Sequence, residues 1–186
     1  MKKIAIFASG NGTNAKKIID HFKGSRIVEV SLIVCNNPGA GVLQIADEEN
    51  IPVLLLGRNE FQNSGYIKEL ITAGINFIVL AGFLWKLPAV LVKAFKGKIV
   101  NIHPALLPAY GGKGMYGNAV HDAVLKAGEK QSGITIHYVD EIYDHGKIIF
   151  QATCPVEETD TADSLAQKIH ALEHRYYPAE IERLLK

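Results

Sequence analysis

Asn101 and His103 stand two residues apart in Asn101-Ile-His-Pro-Ala-Leu-Leu-Pro108, at the end of an apolar, strand-like run. Residues at that spacing share one side of an extended backbone, and Pro104 restrains His103 to an extended conformation. A side-chain amide and an imidazole projecting together can hold a carbonyl oxygen and move a proton, the two needs of acyl transfer. The same pair would also serve simply to tie down the backbone of a loop.

A second segment, Ser9-Gly-Asn-Gly-Thr-Asn-Ala15, links the first strand-like run to the first helix-like one. Its glycines let the backbone turn N–H groups toward an anion at a helix N-terminus, where a phosphate would fit. A plain turn capped by Thr13 or Asn14 uses the same residue types. Read as Gly10-x-Gly12-x-x-Ala15, the segment also meets the dinucleotide fingerprint. That fingerprint expects an acidic residue closing the second strand, whereas this strand ends Val34-Cys35-Asn36-Asn37-Pro38. A phosphorylated sugar fits better than a dinucleotide.

The third candidate is the acidic turn Asp140-Glu-Ile-Tyr-Asp-His-Gly146. A carboxylate such as Asp144 could orient an imidazole and raise its pKa if the turn folds over the sheet edge; a solvated connection is the plain alternative. His103, His121, His137 and His145 could in principle converge with acids on a metal. No HxH, HExxH or Cys/His pattern with ligand spacing is present, so no metal is expected.

Positioning these groups falls to short β-rich runs alternating with amphipathic stretches. Lys3–Ala8, Ile27–Cys35, Pro52–Leu56, Phe77–Ala81 and Lys98–Asn101 read as strands, and Ala15–Phe22, Gly41–Glu49 and Tyr66–Ala73 as helices. The strands are mostly apolar on both faces, which predicts a parallel sheet covered on both sides, with ligands beyond the strand C-termini. After Pro104 come a Gly-rich loop to Gly117, a helix over Asn118–Ala127, and two antiparallel strands, Gly133–Val139 and Lys147–Cys154. A last helix starts near Thr161 with Asp163 in its first turn and carries Leu165, Ile169, Leu172 and Tyr176 at helical spacing; Pro178 is expected to kink it.

The 186 residues, 48% hydrophobic and 21% charged, suit one domain spanning residues 1–186. Twenty Lys and Arg against 19 Asp and Glu leave a charge of +1, which argues against nucleic acid or an anionic membrane as partner. Cys35 and Cys154 lack CxxC spacing, which suits a reducing compartment. Ile4–Ala8 is too short for a signal-peptide core. Ile75–Leu87 is interrupted by Asn76, Gly82 and Lys86 and falls short of the roughly 20 residues a spanning helix needs. A cytoplasmic, soluble protein is expected.

Taken together, Ser9-Gly-Asn-Gly-Thr-Asn14, Ala81-Gly-Phe83, Asn101-Ile-His-Pro-Ala-Leu-Leu-Pro108 and the turn ending Asp144-His-Gly146 resemble the phosphoribosylglycinamide formyltransferases, the folate-dependent transformylases of purine synthesis. The resemblance covers essentially the whole chain. It implies a single-domain α/β formyltransferase fold, with a Rossmann-like, mostly parallel sheet flanked by helices and an antiparallel C-terminal part. It further implies transfer of a formyl group from 10-formyltetrahydrofolate to the amine of glycinamide ribonucleotide, giving formyl-glycinamide ribonucleotide and tetrahydrofolate in de novo purine synthesis. No metal, nucleic acid or membrane is implied, and the assembly would be a monomer or homodimer. Methionyl-tRNA formyltransferase and formyltetrahydrofolate deformylase look similar in the middle but carry an extra domain.

By that resemblance Gly12, Thr13 and Asn14 would bind the ribonucleotide phosphate and Glu173 its ribose. Asn101, His103 and Asp144 would form the catalytic group, with Asp144 keeping His103 cationic; on residue type alone, Glu173 would equally suit a solvated helix face. The folate would lie against Leu84, Trp85, Lys86 and Leu87, Asn101, and Asp140, Glu141, Ile142 and Tyr143, with Arg58 as a further contact. Trp85 stands where many members carry arginine, with Lys86 beside it as a substitute, and the Gly111–Gly117 loop is longer than the common version. The rival classes are a nicotinamide dehydrogenase using the same glycines and a phosphosugar-binding regulatory module.

Overall fold

Aliphatic and β-branched runs without a polar face become the centre of a seven-stranded sheet. In the computed structural model, which describes residues 1–186, the elements follow as β1 (Lys2–Ala8), α1 (Thr13–Phe22), β2 (Val28–Cys35), α2 (Val42–Glu48), β3 (Val53–Leu55), α3 (Arg58–Asn63), α4 (Tyr66–Thr72), β4 (Ile75–Leu80), α5 (Ala89–Ala94), β5 (Ile99–His103), α6 (Asn118–Lys126), β6 (Gln131–Tyr138), β7 (Ile148–Pro155) and α7 (Ala162–Leu185). The strand order is β3-β2-β1-β4-β5-β6-β7. β1 to β5 are parallel, and β6 and β7 run antiparallel to their neighbours.

β1 shows how sequence alternation builds two layers. Ile4, Ile6 and Ala8 enter one core with Ile18, Ile19 and Phe22 of α1, Val42 and Ala46 of α2, and Leu165, Ile169 and Tyr177 of α7. Ala5 and Phe7 enter the other with Phe61 of α3, Leu70 of α4 and Leu91 of α5. A strand whose two faces are both covered has no place for a polar face.

The strands and longer helices lie where periodicity predicts. α3 and α5 are six residues each, too short to establish a helical hydrophobic period, and neither is expected from sequence. β5 extends beyond Asn101 because its antiparallel pairing with β6 continues, Asn101 opposite His137 and His103 opposite Thr135. α7 runs on through Pro178 to Leu185; Tyr177, Pro178, Ile181 and Leu185 are all buried, and this tertiary packing outweighs the missing backbone donor.

From β1 the chain winds outward through β2 and β3 and then returns across the sheet to β4. Loops leaving β1 and β4 therefore diverge and open a crevice at the strand C-termini. The register sets Phe7, Leu80, Asn101 and His137 in one row across β1, β4, β5 and β6, which brings Asn101 to the lip of that crevice. The buried Thr135 hydroxyl donates to Ala105 O at 2.7 Å and accepts from Leu107 N at 2.9 Å, pinning the segment that follows His103. No helix is long and apolar enough to cross a membrane.

Candidate active site

The turn after β1 reaches α1 through Gly12, whose φ of 77° lies in the left-handed region, and no side chain caps the helix. Thr13 and Asn14 therefore do not act as caps, and the first-turn N–H groups remain available to an anion. A Cβ on Gly12 would stand 2.8 Å from the Val42 Cβ, so close helix packing also requires glycine there. Asn37, at the end of β2, donates its amide to Ser9 O at 3.1 Å. That position thus braces the turn where a dinucleotide site would offer a carboxylate.

Asn14 reaches across to α7, where its Nδ2 donates to Glu173 Oε2 at 2.8 Å. Glu173 is 6% exposed, which overturns its reading as part of a solvated helix face. Burial pushes its carboxyl up, with the Asn14 hydrogen bond and nearby His170 opposing.

Asn101 and His103 share one face of the sheet with their cross-strand partners His137 and Thr135, as their spacing predicts. Asn101 Nδ2 lies 3.2 Å from His137 Nε2. His137 Nδ1 donates to Tyr138 O at 2.9 Å, so in the neutral ring Nε2 is the nitrogen that accepts from Asn101. His103 Nε2 donates to Tyr110 O at 2.8 Å, and its Nδ1 faces Asp144 Oδ2 at 3.6 Å. Asp144 Oδ2 also accepts from Gly112 N at 2.9 Å, while Oδ1 stands 3.7 Å from His137 Nε2. The acidic turn folds this far over the sheet because Gly146 lies against β6; a Cβ there would meet Tyr138 O at 1.8 Å.

The electrostatics correct one expectation. Burial lowers the His103 pKa, and although Asp144 and the Tyr110 carbonyl raise it, with His137 lowering it again, the net shift is downward. Asp144 orients His103 but does not keep it cationic in the free protein, because removing the imidazolium from water outweighs a carboxylate at 3.6 Å. Asp144 itself ends below the usual carboxylate range: burial raises it, but His137, the Gly112 N–H and His103 together prevail.

These groups line one cleft of about 770 Å³, within the range of small-molecule sites. Leu84, Trp85, Lys86 and Leu87 form one wall and Asp140, Ile142 and Tyr143 another. Lys86 Nζ lies 5.7 Å from the centre of the Tyr143 ring, joining the two. Two expected folate residues do not line the cleft. Glu141 turns toward Lys93, at 3.9 Å, and Arg58 stacks its guanidinium on the Trp85 ring, 4.8 Å from its centre. Sequence reasoning missed His137, His121 and His170 as lining residues. For His137 a signal existed: Thr135 and His137 are the polar alternates of β6, and antiparallel pairing sets them against Asn101 and His103. No group of three or more His, Cys, Asp or Glu is arranged to hold a metal ion.

A helix start without a side-chain cap, a buried imidazole and a half-buried amide and carboxylate share one crevice of a doubly wound sheet, an arrangement suited to acyl-group transfer. The chain belongs to the formyl transferase family, whose model matches residues 2–181. It is 39% identical to the phosphoribosylglycinamide formyltransferase of Bacillus subtilis (strain 168) over 191 residues, covering 100% of this chain and 95% of that protein. It is 41% identical to the chloroplastic phosphoribosylglycinamide formyltransferase of Vigna unguiculata over 98% of this chain, but spans only 61% of that relative's length. Among solved structures, glycinamide ribonucleotide transformylase 1 from Geobacillus kaustophilus superposes with a TM-score of 0.91 at 38% identity, covering 100% of both chains. Phosphoribosylglycinamide formyltransferase from Bacillus halodurans gives 0.90 at 40% identity, covering 100% of this chain and 96% of the other.

Proposed function

We propose that this protein transfers the formyl group of 10-formyltetrahydrofolate to the amine of glycinamide ribonucleotide. The observation that carries the reading is that Asn101, His103 and Asp144 open onto the same cleft as the uncapped turn Gly10–Asn14. One end offers an anion site and the other an acyl-transfer centre, as a phosphorylated acceptor and a formyl donor require. The relatives named above support the choice of acceptor.

In this reading the acceptor's phosphate takes the N–H groups of Gly12, Thr13 and Asn14, and Glu173 holds its ribose. The folate lies between Leu84–Leu87 and the turn Asp140–Tyr143, with Arg58 acting through Trp85. Amine attack on the formyl carbon builds negative charge on the formyl oxygen. Asn101 spends one amide hydrogen on His137 and has a second for that oxygen. The Nε2–H of His103 is engaged by Tyr110, so Nδ1 is the nitrogen that gains and loses a proton. The proton shed by the attacking amine passes to Nδ1, directly or through water, and reaches the folate nitrogen as the carbon–nitrogen bond to the donor breaks. Asp144 stabilises the transient imidazolium. Both substrates are held in place and no covalent enzyme intermediate is needed.

The test is an assay of formyl transfer from 10-formyltetrahydrofolate to glycinamide ribonucleotide, run beside formate plus ATP as the alternative donor. Product formation with the folate donor alone is expected. Absence of transfer together with retention of NAD by the purified protein would overturn the reading in favour of a dehydrogenase.

A further inference from the structure

Two residues that line the cleft each carry a side-chain atom sealed from water without a hydrogen-bond partner: Asn14 Oδ1 and His121 Nδ1. Buried polar groups are ordinarily paired. His121 is 2% exposed and projects from α6, where the neighbouring buried positions, Val120 and Val124, are apolar. Packing alone would be served equally well by another apolar side chain. On α7, His170 and Glu173 lie three residues apart and line the same wall. The charges of both His170 and His103 bear on His121, and all three side chains line the same cleft.

We propose that His121 is a binding residue for the middle of the acceptor substrate, its Nδ1 hydrogen-bonding a hydroxyl or amide of the ribosyl-amide segment between the phosphate turn and His103. Nothing in the protein supplies that partner, and a ligand anchored at Gly12–Asn14 and reacting at Asn101 has to pass this wall. Asn14 Oδ1, the other orphaned atom, accepts from the same segment while Nδ2 stays on Glu173. The assignment rests on the reading of the cleft as a glycinamide ribonucleotide site.

The experiment measures glycinamide ribonucleotide and 10-formyltetrahydrofolate kinetics for wild type, His121→Phe and His121→Asn, with ribose 5-phosphate and inorganic phosphate as inhibitors. His121→Phe is expected to raise the acceptor KM and the ribose 5-phosphate inhibition constant about tenfold, the loss of one good hydrogen bond. The folate KM and the inorganic phosphate constant should stay within about twofold, the melting temperature should not fall, and His121→Asn should recover part of the loss. Unchanged acceptor constants in a folded His121→Phe would overturn the proposal.

Nitrogen-15 spectra of the wild-type histidines keep the test decisive if a variant fails to fold. The His121 Nδ1 resonance should move on saturation with ribose 5-phosphate and not with inorganic phosphate, and a resonance that does not move overturns the binding role. If wild type forms no formyl product, the functional reading itself fails, and that outcome is separate from the His121 result.

Discussion

Asp144 Oδ2 faces His103 Nδ1 at 3.6 Å and accepts the Gly112 N–H at 2.9 Å, so one carboxylate oxygen meets both the buried imidazole and the Gly-rich loop. Asp144→Asn keeps the shape and removes the charge. Asp144 raises the His103 pKa against burial, so its loss should move the His103 titration to lower pH, read from the imidazole resonances. kcat should fall about 100-fold with acceptor KM held within a few-fold. An unmoved titration would limit Asp144 to holding the loop.

His103→Ala should lower kcat by about 10² to 10⁴ with both KM values nearly unchanged, because the proton it moves belongs to the transition state. Near-wild-type kcat in the purified variant would remove His103 from the chemistry.

Gly10 and Gly12 should respond differently to the same change. Gly12→Ala meets Val42 and keeps a left-handed φ, and should destabilise the fold by about 1–3 kcal/mol. A Cβ on Gly10 meets nothing within 4 Å, so Gly10→Ala should melt within about 0.5 kcal/mol of wild type yet raise the acceptor KM by crowding the anion approach. Equal acceptor KM in Gly10→Ala would leave the turn without a phosphate.

Glu173→Gln retains an acceptor for Asn14 and removes a carboxyl whose pKa burial has raised. Its melting temperature at neutral pH should equal or exceed that of wild type. Glu173→Ala strands the Asn14 amide and should lose about 1–3 kcal/mol. Both should raise the acceptor KM, and neither should change that for folate.

Much of this arrangement was legible in the chain, and the omissions have a common cause. The shared face of Asn101 and His103 follows from two-residue spacing on a strand, and the uncapped turn Gly10–Asn14 from glycines between a strand and a helix. Both are local. Glu173 resembles a solvated helix residue until Asn14, 159 positions away, covers it, and the cationic His103 expected from sequence gives way to burial, which no local pattern reports. His121 and His170 become neighbours only when α6 and α7 dock. The same limit hid α3 and α5, each a short helix held by tertiary packing.

A pH dependence follows from burial. The pKa values of His103, His121 and His174 are lowered from 6.5 chiefly by burial, so the folded protein binds fewer protons than the unfolded chain. This contribution to stability is present above 6.5 and is lost as pH falls through the folded values. Glu173, shifted upward, acts with the opposite sign. It is common to wild type and His121→Phe and cancels in their difference. Melts from about pH 7.5 down to about 5.5 should therefore show a smaller decline for His121→Phe. Equal declines would mean that His121 charges freely in the folded protein, despite His170, His103 and Asp122 around it.

The Tyr177 hydroxyl donates to Leu80 O at 2.8 Å and approaches Val100 O at 3.3 Å, while Glu173 on the same helix holds Asn14. During synthesis β1 to β5 and the turn after β1 leave the ribosome well before α7 does, and a domain folds as a unit. A nascent chain at that stage has the turn but neither the carboxylate opposite it nor the tie that gathers the ends of β4 and β5. Docking of α7, which carries Leu165, Ile169 and Tyr177 into the core, thus completes the fold and the cleft proposed to hold the ribonucleotide in a single step.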